Sequence, residues 1–308
     1  MIKEDKSEGK KRLRAGTLSK RTARQGILSV LPAMLIIIAI QAYSIVTVIT
    51  KSFTNWDGLF KNDFIGIRNY TTLLQQDQFG TLLLNNIFFL LFIPITLFLG
   101  MVVAVLLYQE CAGWKFFRAV ICLPQMLSYV VLGFLFKVFF AYSGPVNTTL
   151  ESIGLGALTL DWLSSPWPAR GVILFVLVWV NIGWQSMIFT GGLTAIDPSV
   201  LEAATLDGAG YWSRLFRIII PMMVRVIEYS IITNIIFVFT GLFSIIFSVT
   251  NGGPGYATTT IDYMIYLRAF VIGTDLGKAC ALALILLAIV SVITVIEMRL
   301  SNKLDDWS

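Results

Sequence analysis

The sequence predicts an all-α integral membrane protein of about six transmembrane helices, with a pair of short helices in its longest cytoplasmic connection. Three observations carry this. The 308 residues are 56% hydrophobic and only 13% charged, where a soluble domain carries roughly a quarter of its residues as Asp, Glu, Lys and Arg. Six long runs are free of those four residue types. The basic residues are distributed unevenly between the two sets of connections, which fixes a topology.

In lipid every backbone N–H and C=O must be satisfied within the segment, so a spanning run is a helix of about 20 apolar residues. The first helix is expected at 27–50, inside the run Gln25–Thr50. That run is too long for a signal-peptide apolar region, and no small-residue cleavage site follows it. The second is expected at 81–107, between Asp77 and Glu110, and the third at 118–140, between Arg118 and Lys137. The fourth is expected at 170–191, the fifth at 226–249 and the sixth at 277–298. Pro32, Pro94, Gly100, Pro124, Gly133 and Gly183 fall inside these runs. In membrane helices such residues mark kinks or close packing, because neighbours re-satisfy freed carbonyls.

Nine basic residues, from Lys3 to Arg24, precede the first helix. With that segment inside, residues 1–26, 108–117, 192–225 and 299–308 are cytoplasmic and hold most of the 23 Lys and Arg. The outer segments hold only Lys51, Lys61, Arg68 and Arg268. The bias predicts both termini inside. The net charge of +5 is concentrated before an apolar run, which fits an anionic leaflet and not nucleic acid. With no His, and with Cys111, Cys122 and Cys280 in no CxxC pair, a zinc site, a Cys–His nucleophile and a disulfide framework are not expected.

The connection between the fourth and fifth helices does not read as a loop. Asp197 is an N-cap residue and Pro198 fits the first helical position. Val200, Leu201, Ala203, Ala204 and Leu206 favour a short helix, which Asp207-Gly208-Ala209-Gly210 stops. A second short helix runs from about Tyr211 to Ile219, near Pro221. Leu201, Thr205, Leu215 and Phe216 give this hairpin apolar surface that it does not bury alone. Physics leaves two readings open: a partner's groove, or an amphipathic loop lying on the membrane.

The spacing Glu202-Ala203-Ala204, three residues, Gly208, nine residues, Ile218, one residue, Ile220-Pro221 resembles the signature of binding-protein-dependent ABC importer permeases. Ile220 stands where that pattern has Leu. Asp207-Gly208-Ala209, Phe216 and Pro221 resemble its carbohydrate-uptake branch, as do Phe64–Tyr70 and Thr250–Pro254 followed by Thr258-Thr259-Thr260. The resemblance implies that residues 197–221 form a coupling loop, set within a permease domain at 27–298, that docks on a cytoplasmic ATPase. Glu202, Ala203, Ala204, Asp207, Gly208, Ala209, Phe216 and Pro221 would carry the contact. It further implies a bacterial cell membrane, a second permease (a heterodimer being usual), two ATPase subunits and an extracytoplasmic sugar-binding protein. ATP and Mg would sit on the ATPase partners, since the chain has no phosphate loop and is itself no enzyme.

A sugar path needs polar groups and aromatic faces at mid-membrane depth. Asn181, Trp184 and Gln185 on the fourth helix, and Asn234, Phe237 and Thr240 on the fifth, are the candidates. The same Asn and Gln residues equally suit hydrogen bonds between helices. Asn85 and Asn86 are as ambiguous. Lys137 and Glu297 read as end residues whose charges reach the interface. The competing class is an ion-coupled transporter or channel without an ATPase. Such proteins carry carboxylates or His at helix centres, which these runs lack.

Overall fold

The structure is a computed structural model that describes residues 20–109, 113–273 and 275–305, with side chains described between 27 and 299. The expected basic segment 1–26 and tail 299–308 lie largely outside the described residues. Contacts divide the chain after Thr50 into two units.

Helix α1 (Lys20–Ser52) supplies the first unit. The rest follows in chain order: α2 (Arg68–Gln75), α3 (Asp77–Phe89), α4 (Phe92–Tyr108), α5 (Trp114–Cys122), α6 (Tyr129–Phe139), α7 (Pro145–Ser152) and α8 (Pro166–Leu193). Then come α9 (Pro198–Leu206), α10 (Tyr211–Arg214), α11 (Ile220–Met222), α12 (Val224–Thr240), α13 (Phe243–Val249), α14 (Ile261–Tyr266) and α15 (Leu276–Asp305). Among the described residues the only β feature is an isolated bridge between Thr54 and Phe64.

Four stretches are long and apolar enough to cross a membrane: Ile27–Ser52, Asp77–Tyr108, Pro166–Leu193 and Leu276–Arg299. Two bent helix pairs bring the number to six if each is one span. The expected first, second, fourth and sixth helices correspond to the four.

The third and fifth depart from expectation. A continuous helix at 118–140 does not form; Trp114–Met126 and Tyr129–Phe139 meet at 99°. Pro124 has no N–H to continue the ladder and opens a 3-10 turn, after which Ser128 caps α6 by accepting from the Val130 amide at 3.3 Å. A 77° bend after Met222 lies before the range expected for the fifth, near Pro221, where the short return helix was expected to end. The fifth itself, expected unbroken over 226–249, breaks between α12 and α13. There the Asp262 carboxylate accepts from the Phe243 amide at 2.8 Å, satisfying a donor that the new helix start leaves free.

Lipid is as apolar as leucine, so helices associate through close packing and hydrogen bonds more than through burial. The interior glycines serve that end. A Cβ at Gly100 would lie 2.8 Å from the Gln185 side chain, so α4 and α8 approach closely only because Gly100 has none. Gly183 packs on the Ile121 carbonyl and Gly133 on Ser248. Two apolar clusters stack along α4 and α8. One holds Phe89, Phe92, Leu132, Val176, Ile246 and Tyr263. The other holds Met101, Val105, Phe189, Leu215, Ile219 and Met223.

Candidate functional site: the short-helix hairpin and the polar seam

Asp197 is the N-cap of α9, its carboxylate accepting from the Ser199 amide at 2.9 Å. That amide, and after it the Ser199 hydroxyl, hold the Asp197 carboxyl below the usual carboxylate range. At the other end Ala209 N–H donates to the Ala204 carbonyl (3.0 Å) and Gly208 N–H to that of Thr205 (3.1 Å). This is the paired closure of a Schellman turn, and it needs a left-handed residue. Gly208, at φ +78°, supplies it.

The return arm runs through α10, a π-helical turn over Leu215–Ile219, and α11. The π turn lets Leu215, Ile219 and Met223 all point inward, where they are buried against Met101 and Val105 of α4 and Phe189 and Leu193 of α8. Leu215 therefore anchors the hairpin and does not belong to its outer surface, where the sequence reading had placed it. Tyr211 donates its hydroxyl to the Val102 carbonyl of α4 at 3.2 Å, and Arg214 donates to the Thr205 hydroxyl at 2.9 Å, tying the two arms together. A cavity of about 480 Å³ lies between hairpin and α4, lined by Tyr108, Gln109, Glu202, Tyr211 and Arg214.

Of the signature residues, Glu202, Ala203, Asp207, Gly208, Phe216 and Pro221 are exposed, Ala209 is half-buried and Ala204 packs inward. Leu206 is 89% exposed, and Trp212 stacks on Phe216 with ring centroids 6.0 Å apart, also exposed. A firmly anchored element thus presents apolar and acidic groups outward, which the sequence pattern had located but not oriented.

The candidate path residues separate into two groups. Gln185 Nε2 donates to the Ser230 hydroxyl at 2.7 Å, and Asn234 Nδ2 donates to Gln185 Oε1 at 3.1 Å, closing a buried bridge between α8 and α12. Asn181 accepts from the Tyr129 hydroxyl of α6 at 3.1 Å, and the Tyr129 ring lies 5.8 Å from Phe237. Trp184 is exposed on another face of α8, and Thr240 bonds the Ile236 carbonyl of its own helix. The structure brings Asn181, Gln185, Asn234 and Phe237 into one polar seam and leaves Trp184 and Thr240 outside it.

One constellation, whose Asn85 and Asn86 the sequence left ambiguous, is assembled only in the structure. Asn85 donates to the carbonyls of Tyr256 (2.9 Å) and Thr259 (2.8 Å) and accepts from Arg170 Nη2 (2.9 Å). Arg170 Nε also donates to the Ala257 carbonyl at 2.8 Å, and its guanidinium lies 4.9 Å from the Trp167 ring. Asn86 donates to the Val238 carbonyl and accepts from the Ile261 amide. Asn85 and Arg170 clamp the segment Thr250–Thr260 to α3 and α8, and Asn86 holds the first residue of α14 and α12 to α3. The signal was the Asn pair beside a helix end, together with three consecutive threonines.

Spans, a hairpin anchored between two of them and a buried polar seam define a subunit of a membrane transport system. Residues 81–305 match the binding-protein-dependent transport system inner membrane components, and the chain belongs to that family. It is 32% identical over 260 residues to the multiple sugar-binding transport system permease protein MsmF of Streptococcus mutans, covering 82% of this chain and 87% of that one. It is 30% identical to the lactose transport system permease protein LacF of Rhizobium radiobacter, covering 90% and 94%. It is 31% identical to a probable ABC transporter permease of Pyrococcus horikoshii, covering 90% and 95%. Its fold is that of a chain in the crystal structure of a bacterial alginate ABC importer, with TM-score 0.78 over 92% of this chain and 98% of that one, at 22% identity.

Proposed function

We infer that this chain is the membrane-spanning permease subunit of an ATP-driven sugar importer, receiving its substrate from an extracytoplasmic binding protein. The family favours this over the ion-coupled alternative, and relatives named for lactose and multiple-sugar transport support the substrate class. Both termini lie in the cytoplasm, and ATP is hydrolysed on two partner subunits. A second permease, most simply a homologue, completes the pathway.

The observation that carries the mechanism is the hairpin, exposed on one side and rooted on the other. Leu206, Asp207, Trp212 and Phe216 contact the ATPase, with Glu202 placed for a charge-assisted hydrogen bond. Leu215, Ile219, Met223 and Tyr211 pass its movement to α4 and α8. The buried Gln185–Ser230–Asn234 bridge ties α8 to α12 and carries the movement on to that third helix.

Gly208→Asp tests the docking. Apart from its chain neighbours, a Cβ at 208 meets no atom of the described residues within 4 Å, so a side chain there has room in the subunit. Asp also visits left-handed backbone at modest cost. The variant is expected to insert normally and to lose ATP-dependent uptake in proteoliposomes of the assembled transporter. Normal uptake would mean that nothing docks at that turn.

A further inference from the structure

A cleft of about 410 Å³ opens at the N-terminal end of α15, away from both the hairpin and the polar seam. Its walls carry Lys61, Arg68, Lys278 and Asp275, with Trp56 and Asn55 beside them. This volume lies within the roughly 300–1,000 Å³ typical of small-ligand clefts. The walls are fixed. Gly277 N–H donates to the Trp56 carbonyl at 2.8 Å, and Asn69 Nδ2 donates to the carbonyls of Ser52 and Thr54, both at 2.8 Å.

Positive charge exceeds negative in the cleft, and the nearby carboxylates are already engaged. Asp275 takes Lys278 at 3.1 Å and Arg268 at 3.3 Å. Asp57 accepts from the amides of Leu59, Phe60 and Lys61, which hold its carboxyl below the usual range, the Leu59 amide most strongly. Asp63 accepts from Asn55. Lys61 and Arg68 form no ion pair among the described residues, which leaves two cations facing an open cleft.

The chain leading into the cleft is apolar and exposed on both sides. Phe60, beside Lys61, is 93% exposed, with Leu59 and Phe64 nearly as bare; Phe270, shortly before Asp275, is 76% exposed and continues into Val271 and Ile272. Water would not favour such a surface. A cationic cleft between apolar flanks, at the end of a spanning helix that the charge bias predicts to face outside, can pair with a phosphate while its flanks meet acyl chains.

We propose that this cleft binds the phosphate of an anionic phospholipid, held by Lys61, Arg68 and Lys278, with Phe60 and Phe270 against its acyl chains. The assignment needs only that the chain crosses a membrane, so it stands apart from the sugar reading. The test is native mass spectrometry of the assembled transporter, released from nanodiscs with equal phosphatidylglycerol and phosphatidylcholine. Wild type is expected to retain phosphatidylglycerol in preference. Lys61→Gln with Arg68→Gln, both at exposed side chains, is expected to weaken that retention about 10- to 30-fold. The charge-keeping pair Lys61→Arg with Arg68→Lys is expected to preserve it. Equal retention of the two lipids, or unchanged retention in the Gln pair, overturns the proposal. Displacement of the lipid by millimolar inorganic phosphate marks a free-anion site and overturns the lipid assignment. So does a Gln pair that keeps its lipid but loses affinity for the extracytoplasmic binding protein.

Discussion

Truncating Gln185 removes two buried bonds at once, to the Ser230 hydroxyl and to the Asn234 amide, which keeps only its bond to the Ser230 carbonyl. Hydrogen bonds between membrane helices contribute about 0.6 kcal/mol on average and up to about 1.7. Gln185→Leu is therefore expected to destabilise the protein by about 1–3 kcal/mol, read as a lower midpoint in thermal unfolding of the purified subunit. Trp184→Ala, at an exposed neighbour, should leave the midpoint nearly unchanged. Equal losses would mean that the seam is not the structural joint described here. Tyr211 offers a second residue-scale test. Tyr211→Phe keeps the ring and removes the hydroxyl that bonds the Val102 carbonyl. Uptake by the assembled transporter should fall while its ATPase activity persists; a parallel fall of both would point to poor assembly instead of lost transmission.

Among the elements, the outer segment Thr250–Thr260 is held by side chains and not by a sheet or helix of its own. Arg170→Leu removes its bonds to Asn85 and Ala257 and should expose the segment to protease in the folded subunit, where the parent resists cleavage. This clamp shows where sequence reading stops. Charge-free runs locate helices well, because lipid forbids unpaired backbone. They do not reveal a cap supplied from afar, such as Asp262 at Phe243, nor the turn that Pro124 and Ser128 make inside an apolar run. Thus the third and fifth helices were legible as apolar, but the bend in the third and the break in the fifth were not. The hairpin was more open to reading, since Asp197, Pro198 and Gly208 act on their immediate neighbours. Which of its apolar residues face inward depended on a π turn, and no local residue preference announces one.

For the whole molecule, the account describes a lever. One end is an exposed hairpin, the middle is the packing of α4 against α8, and the far end is a polar seam between α8 and α12. The positive-inside pattern predicts a cytoplasmic hairpin, so a cysteine at the exposed Leu206 should resist a membrane-impermeant thiol reagent added outside intact cells, and one at the exposed Ser152 should react. The most direct measurement of the central claim is disulfide cross-linking of a cysteine at Leu206, in an otherwise cysteine-free chain, within the assembled transporter. The account predicts a cross-link to the ATPase subunit whose yield changes when ATP is bound. A cysteine at Leu206 that never cross-links to the ATPase, with or without nucleotide, would contradict it.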